Sequence, residues 1–139
     1  MLFPKKVKYR KWHTMRRNPK RVGVASRGAT VAFGSFGLKA LTPARIRSQQ
    51  IEAARKVLSR SIGKAGRLWI RIFPDMPYTK KPAEVKLGKG KGDLQGYAAP
   101  VLAGRVLFEV EGIEEVMARE ALRKAGTKLP LKTKVVSRQ

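Results

Sequence analysis

The sequence predicts an α+β fold, in which a mixed, mostly antiparallel sheet packs against two helices. Two segments carry apolar residues at helical spacing, several short segments alternate apolar and polar residues, and Gly- and Pro-rich turns separate them. The 139 residues, 42% of them hydrophobic, suffice for one core. We therefore predict a single domain over residues 1–139, made of a basic arm (1–28), a core (29–136) and a long basic loop (74–96) projecting from it.

The predicted arm is basic and lacks apolar periodicity, so we expect it to order on a partner rather than fold unaided. Its cations are Lys5, Lys6, Lys8, Arg10, Lys11, Arg16, Arg17, Lys20, Arg21 and Arg27. Tyr9, Trp12 and His13 lie among them, and flat rings between cations suit stacking on nucleic-acid bases. Packing of Trp12 back onto the domain is an equal alternative.

The core is expected to begin with strands over 29–33 and 36–41, which the turn GSFG would join as a hairpin. The segment LTPARIRSQQIEAARKVLSRSIGKAG then predicts a helix that Thr42 caps and Pro43 starts. Its apolar face comprises Ile46, Ile51, Ala54, Val57, Leu58 and Ile62, and its polar stripe comprises Arg45, Gln49, Glu52, Lys56 and Arg60. The stripe is either a solvated face or a surface for phosphate contacts.

The segments RLWIRIFP and RVLFEVEG alternate as strands do. Residues 97–102 are expected to pair with the second of them across Ala103 and Gly104, and Glu109 is explained by a strand edge. The segment GIEEVMAREALRKAG predicts a second helix that ends near Gly126. Its predicted buried face comprises Met117, Ala118, Ala121, Leu122 and Ala125, and residues 129–136 predict a closing strand.

Composition excludes several classes of function. With no cysteine and one histidine, His13, the sequence offers no thiolate or His/Cys zinc site, no Ser/His/acid triad within the core and no recognisable cofactor site, so we expect neither an enzyme nor a small-molecule substrate. No apolar run approaches the roughly 20 residues that span a bilayer, so a cytoplasmic protein without a membrane partner is expected. An organelle transit peptide is the rival interpretation of the basic start, although Pro4 and Pro19 would break its helix.

The charge balance points to a polyanion. Lys and Arg number 32 against 9 Asp and Glu, a net charge of +23, and no carboxylate precedes Glu52. Such a field repels itself unless a polyanion neutralises it, so nucleic acid is the predicted partner. A DNA-compacting or chaperone protein is one alternative, and an RNA-modifying enzyme is another.

The stretch KLGKGKGD within the predicted loop is either a nucleotide-binding loop, a linker or a basic finger. A phosphate-binding loop needs G-x-x-x-x-G-K followed by Ser or Thr, and the glycine spacing here differs. A linker would separate two domains, which a chain of this length hardly accommodates. Lys80, Lys81, Lys86, Lys89 and Lys91 therefore predict a finger directed at nucleic acid, with Pro74, Pro77 and Pro82 stiffening its base.

Three stretches carry a family resemblance. LFPKKVKYRK, RSQQIEAARKVLSR with RLWIRIFPDMPYTKKPAEVKLGKGKG, and GRVLFEVEGIEEVMAREALRKAGTKLPLKTKVV together resemble the bacterial large-subunit ribosomal protein number sixteen family. The resemblance implies a hammerhead-type α/β fold and a structural role in the large ribosomal subunit, with binding to large-subunit rRNA near the A-site and P-site tRNAs. It also implies neighbouring large-subunit ribosomal proteins as partners, late joining during assembly, and a contribution to the shape of the peptidyl transferase region without chemistry.

Candidate binding residues follow from the two lines of argument together. The arm cations with Trp12, and Arg45, Lys56 and Arg60, are candidates for rRNA. The family motif implies that Lys80, Lys81, Lys86, Leu87, Gly88, Lys89, Gly90, Lys91 and Gly92 face tRNA and the peptidyl transferase centre. Many relatives carry Arg and Met where this chain carries Lys86 and Leu87, so a planar, bidentate side chain is replaced by a point charge.

Overall fold

The computed structural model describes residues 1–14 and 18–139. In chain order it contains a short 3₁₀ turn (Pro19–Arg21), strands β1 (Phe36–Ala40) and β2 (Ala44–Arg47), helix α1 (Ser48–Ile62), strands β3 (Arg67–Ile70), β4 (Met76–Lys80), β5 (Asp93–Val101) and β6 (Val106–Glu111), helix α2 (Glu115–Gly126) and strand β7 (Thr133–Ser137). No helix in these described ranges is both long enough and apolar enough to cross a membrane.

The strands form two sheets, and every named strand pair is antiparallel. One sheet has four strands in the order β3-β6-β1-β7, and the other has three in the order β2-β5-β4. The predicted α+β class with two helices is confirmed. The single sheet expected from the sequence is divided in two because β2 and β4 both pair with β5 instead of joining β6.

The two helices connect the sheets through one hydrophobic core. Helix α1 packs against α2, and it also contacts β3 of the four-stranded sheet and both β2 and β5 of the three-stranded sheet. Leu38, Ile46, Leu58, Phe108 and Leu122 are fully buried in this core, one from each of β1, β2, α1, β6 and α2. Both sheets therefore pack around the same core and form one structural unit.

The strand predicted over 29–33, and with it the GSFG hairpin, is wrong. Those residues carry no strand, whereas the strand predicted over 36–41 is confirmed as β1 and pairs with β6 and β7. The backbone N–H groups of Ala32, Phe33 and Gly34 donate to the carboxylate of Glu109 at 2.8, 2.7 and 3.1 Å. Because a side chain satisfies these donors, the segment needs no ladder partner.

Glu109 is therefore not at a strand edge. It lies on β6 inside the four-stranded sheet, is 0% exposed, and its Oε1 is 3.0 Å from the Arg71 guanidinium. Arg71 also donates to the carbonyl of Thr30 and lies over the ring of Phe33, 5.4 Å from its centre. This group, which we call the Glu109 clamp (Glu109, Arg71 and residues 30–34), attaches the end of the arm to the sheet.

The helix start predicted at Thr42 and Pro43 is also wrong. Residues 44–47 form β2, and α1 begins at Ser48 after the backbone N–H of Arg47 donates to the Gln50 side chain at 2.9 Å. The Thr42 hydroxyl accepts from the backbone N–H of Lys132 instead. Arg45 and Ile46 thus belong to a strand, although Ile46 is buried as predicted.

The region after Pro74 contains more order than a 23-residue loop. Strands β4 and β5 pair from Met76↔Ala98 to Lys80↔Asp93, so the loop is reduced to residues 81–92 at the end of a hairpin. Residues 97–101 accordingly pair with β4 and β2, and not with β6 as predicted for 97–102. In α2, the predicted helix is confirmed but Met117 is half exposed, while Ala118, Ala121, Leu122 and Ala125 are buried. The closing strand is confirmed as β7.

Candidate nucleic-acid interface

The hairpin of β4 and β5 presents the hairpin loop, residues 81–92, as a basic and exposed segment. Lys86, Lys89 and Lys91 are exposed, Lys80 precedes the loop and is also exposed, and Lys81 is half-buried. Leu87 is 98% exposed, which makes it the most exposed large apolar side chain of the described residues. The structure therefore offers the loop cations to a partner and leaves Leu87 between them without a packing site.

The glycines of the loop meet specific backbone requirements. Gly88, Lys89 and Gly90 have positive φ angles of 109°, 57° and 92°, a region that non-glycine residues rarely adopt. Near the base of the hairpin, a Cβ on Gly92 would lie 2.7 Å from the carbonyl carbon of Lys80. The Lys81 ammonium donates to the Gly88 carbonyl at 2.6 Å and closes the loop on itself. The run GKGKG thus shapes the backbone on which the lysines are carried.

The arm folds back onto the domain and meets this loop. Leu2 packs against the hydrophobic core. The Lys91 ammonium donates to the backbone carbonyl of Trp12, and the Lys11 ammonium lies 3.5 Å from the carbonyl of Lys91. Arm and hairpin loop, which are some 80 positions apart in sequence, consequently form one continuous basic surface.

A groove with aromatic walls lies on the arm. Its volume is about 680 Å³, and its lining comprises Pro4, Lys6, Val7, Lys8, Tyr9, Lys11, Trp12, His13 and Asp75. Tyr9 is 62% exposed and Trp12 is 38% exposed. We call this feature the aromatic groove. The backbone of Trp12 is thus held against the hairpin loop while the residue remains partly exposed, and its stacking on a base stays a prediction.

Of the remaining predicted cations, Lys5 and Arg10 are exposed on the arm, and the others lie in three places. Lys20 and Arg21 are exposed on the 3₁₀ turn, which the Asn18 side chain caps by accepting from the Lys20 backbone N–H at 3.0 Å. Arg27 is exposed, two residues beyond the point where the Ala25 N–H bonds to the Ala103 carbonyl. Arg45, Lys56 and Arg60 are exposed on β2 and α1, whereas Arg16 and Arg17 lie outside the described residues.

Four of the nine carboxylates form ion pairs within the fold. Among residues 1–14 and 18–139 the ion pairs are Glu52 with Arg55, Glu109 with Arg71, Glu115 with Arg119, and Glu120 with Arg123 and Lys124. Side-chain hydrogen bonds from Arg55 and Arg123 lower the pKa of Glu52 and Glu120, so both are ionised at neutral pH. In the described part of the chain, none of the predicted binding cations has a carboxylate partner. Their charge is left for an external anion.

Asp75 is a feature that the sequence did not single out. Asp75 is exposed and lines both the aromatic groove and a second groove of about 710 Å³ that includes Trp69, Arg71 and Arg105. A lone carboxylate between Pro74 and Pro77 has no periodic pattern, so only the fold brings it beside the arm. The clearest sequence signal is its isolation, as the only acidic residue between Glu52 and Glu84.

Comparison with known proteins gives a consistent family. The model of the family described as ribosomal protein L16p/L10e matches residues 4–136. The chain belongs to that family. It is 55% identical over 138 residues to the large ribosomal subunit protein uL16 of Rhodopseudomonas palustris (strain BisB5), covering 99% of this chain and 98% of the relative. The protein of the same name from Thermosipho melanesiensis is 56% identical, covering 99% and 94%.

Membership of the L16p/L10e family confirms the resemblance found in the sequence. Because the family consists of structural ribosomal proteins, the expectation that the chain is not an enzyme is confirmed. A ribosomal location, which in bacteria is cytoplasmic, also follows from the family. Within the described ranges, no group of three or more His, Cys, Asp or Glu side chains is arranged to hold a metal ion.

Proposed function

We propose that the protein binds large-subunit rRNA through its arm and hairpin loop, and that the loop contacts A-site and P-site tRNAs near the peptidyl transferase centre. The family and the names of its relatives make the chain a structural constituent of the large ribosomal subunit. Neighbouring large-subunit ribosomal proteins are its other proposed partners. The observation that carries the proposal is the contact between Lys91 and Trp12, since it joins the two basic segments into one surface.

The chemistry of that surface suits RNA. Phosphates are neutralised by exposed Lys and Arg side chains, and such contacts position a protein on a nucleic acid without reading its sequence. The arm and loop supply these cations without carboxylate partners among the described residues, while the glycine-rich loop backbone permits close approach. The two sheets and helices act as the mount that holds both segments in place.

The first test is the salt dependence of binding to large-subunit rRNA. If roughly six to ten phosphates are contacted, the affinity should fall by a factor of about 10³–10⁵ between about 50 and 200 mM salt. Filter binding or fluorescence anisotropy with the full-length protein measures this slope. A slope near zero would contradict phosphate neutralisation as the basis of binding.

The second test assigns the contacts to the hairpin loop. Changing Lys86, Lys89 and Lys91 together to Ala should reduce the salt slope by about two to three units, because each phosphate contact contributes roughly one. A matched control changes Lys128, Lys132 and Lys134 to Ala, which removes the same charge. All three lysines are exposed; Lys128 and Lys132 lie between α2 and β7, and Lys134 lies on β7. Equal loss in both variants would mean that net charge, and not the loop, determines affinity.

The tRNA contact requires assembled particles. Large subunits reconstituted with the triple-lysine loop variant should retain the protein but bind A-site and P-site tRNAs more weakly than subunits carrying the control variant. Normal tRNA binding and peptide transfer by such particles would reject the contact.

Late joining during assembly predicts that depletion of the protein leaves a nearly complete subunit precursor. Accumulation of an early, protein-poor precursor would reject late joining.

A general nucleic-acid compaction or chaperone role is the second candidate, favoured only by the +23 charge. The two functions differ in retention. A ribosomal constituent cosediments with large subunits through a high-salt gradient, because many contacts form at once. A chaperone held by charge alone would be released under the same conditions.

A further inference from the structure

The aromatic groove combines rings, cations and a single carboxylate in one concave site. We propose that it binds one unpaired guanine base of an RNA. This deepens the rRNA-binding function proposed above and rests on it.

The walls of the groove favour a flat aromatic ligand. Tyr9 and Trp12 are exposed without being stacked on each other, and the Lys8 ammonium lies 5.5 Å from the centre of the Tyr9 ring. Unpaired RNA bases are recognised by stacking on such rings, and nearby cations hold the adjoining backbone. The volume of about 680 Å³ lies within the range of roughly 300–1,000 Å³ for small-ligand sites and admits a nucleoside.

The carboxylate of Asp75 separates a base from a phosphate. At the position beside Asp75 a phosphate would be repelled, whereas a base can donate hydrogen bonds there, and the lining lysines are left for the phosphates of adjoining nucleotides. Within the described residues the Asp75 side chain forms no ion pair and accepts no hydrogen bond, so both of its oxygens are available.

The same carboxylate favours guanine over adenine and cytosine. Guanine presents two adjacent donors, N1–H and the N2 amino group, on its Watson–Crick edge, and these match the two oxygens of a carboxylate. Adenine and cytosine present one amino donor beside an acceptor, and that acceptor would face a carboxylate oxygen. Charge-assisted, bidentate hydrogen bonds of this kind are the stronger ones.

The test uses the full-length protein and short RNA hairpins that differ only at a single-nucleotide bulge. The bulge carries guanine, inosine, adenine or an abasic site, and dissociation constants are measured at one fixed salt concentration. Guanine should bind roughly 5- to 150-fold more tightly than the abasic site, the loss expected from one stacked base. Inosine, which lacks the N2 amino group, should bind more weakly than guanine.

Three variants assign the preference to the groove. Trp12→Ala should remove most of the difference between guanine and the abasic site, while Phe3→Ala, an exposed aromatic of the same arm outside the groove lining, should preserve it. Asp75→Asn should bring guanine and inosine to nearly equal affinity without weakening overall binding, because it removes a negative charge. A purely electrostatic role of Asp75 would shift all four RNAs by the same factor.

The outcomes separate this inference from the function on which it rests. If all hairpins bind with strong salt dependence but with equal affinity, the rRNA-binding proposal stands and the guanine site is rejected. If no hairpin and no rRNA binds with salt dependence, the proposed function itself fails. A preference for guanine that survives Trp12→Ala would reject the aromatic groove as its location.

Discussion

Replacing Glu109 should release the end of the arm from the sheet and destabilise the whole domain. The carboxylate is 0% exposed and accepts from the backbone N–H groups of residues 32, 33 and 34 as well as from Arg71. We consider two substitutions. Glu109→Leu removes every acceptor, and Glu109→Gln keeps the shape and one acceptor oxygen while removing the charge.

The expected magnitudes follow from these contacts. Glu109→Leu leaves the Arg71 charge and three backbone donors without their partner, and breaking a buried ion pair on one side costs about 3–5 kcal/mol. Glu109→Gln leaves fewer donors unsatisfied, and we expect about 1–3 kcal/mol. A domain has only about 5–15 kcal/mol of stability in total, so the Leu variant should lose a large share of it.

The free energy of unfolding is measured by urea titration of the RNA-free protein at neutral pH. Glu111→Gln is the matched control, since it removes a carboxylate from the same strand that makes no side-chain hydrogen bond or ion pair within the described residues. That control should stay within about 0.5 kcal/mol of the unchanged protein. Limited proteolysis should cleave the Glu109 variants earlier between the arm and β1.

The same carboxylate predicts a dependence on pH. Burial alone would raise the pKa of Glu109, but the three backbone N–H donors and the Arg71 guanidinium hold it below its ordinary value. A group with a lowered folded-state pKa stabilises above its unfolded pKa, near 4.3, and loses that contribution as the pH falls through the folded-state pKa. Stability should therefore change little from neutral pH to about pH 5 and fall below about pH 4, and Glu109→Gln should lack this component.

Two results would refute the reasoning about the Glu109 clamp. One is a Glu109→Gln variant within about 0.5 kcal/mol of the unchanged protein at neutral pH. The other is an acid-unfolding profile that Glu109→Gln leaves unchanged. Either result would mean that residues 30–34 are held by packing, for example by the stacking of Phe33 on Trp69, and not by the carboxylate.

Further predictions concern the core and the hairpin. Leu58→Ala should lower the free energy of unfolding by about 2–5 kcal/mol because Leu58 is fully buried. Lys56→Ala, on the exposed face of the same helix, should change it by less than about 0.5 kcal/mol. Similar values for the two variants in urea titrations would reject the assignment of the buried face. Gly92→Ala should lower the free energy of unfolding by about 1–3 kcal/mol and weaken RNA binding, since the added Cβ would meet the Lys80 backbone. Gly23→Ala should be tolerated, because a Cβ at that position meets no atom within 4 Å. Unchanged stability of the Gly92→Ala variant would contradict the close approach of Gly92 to Lys80.

The elements that the sequence predicted correctly are those defined by local periodicity. β3, β6, β7 and α2 were found because alternation or helical spacing, with helix-ending residues, is written within a short segment. Ile46 illustrates the limit of this signal. At helical spacing it continues the apolar face of α1, and on β2 it is equally buried, so its burial was predicted correctly and its secondary structure was not.

Errors arose where a distant residue decided the local structure. Residues 29–33 have the composition of a strand, but the backbone donors of Ala32 and Phe33 are taken by Glu109, some 77 positions away. Residues 76–80 were assigned to a loop because prolines and lysines are frequent over 74–96, yet they pair with β5 as an edge strand of the three-stranded sheet, where Pro77 is tolerated.

The sequence by itself determined the class of partner and the binding segments that we propose. Net charge, the carboxylate-free first third and the Lys/Gly run are properties of the residues themselves and need no fold to be read. The tertiary structure alone decided that the hairpin loop meets the arm through Lys91 and Trp12, that Asp75 faces the aromatic groove, and that Glu109 is buried. These contacts join residues 60 to 80 positions apart, and such contacts depend on how the whole core packs, which no local pattern encodes.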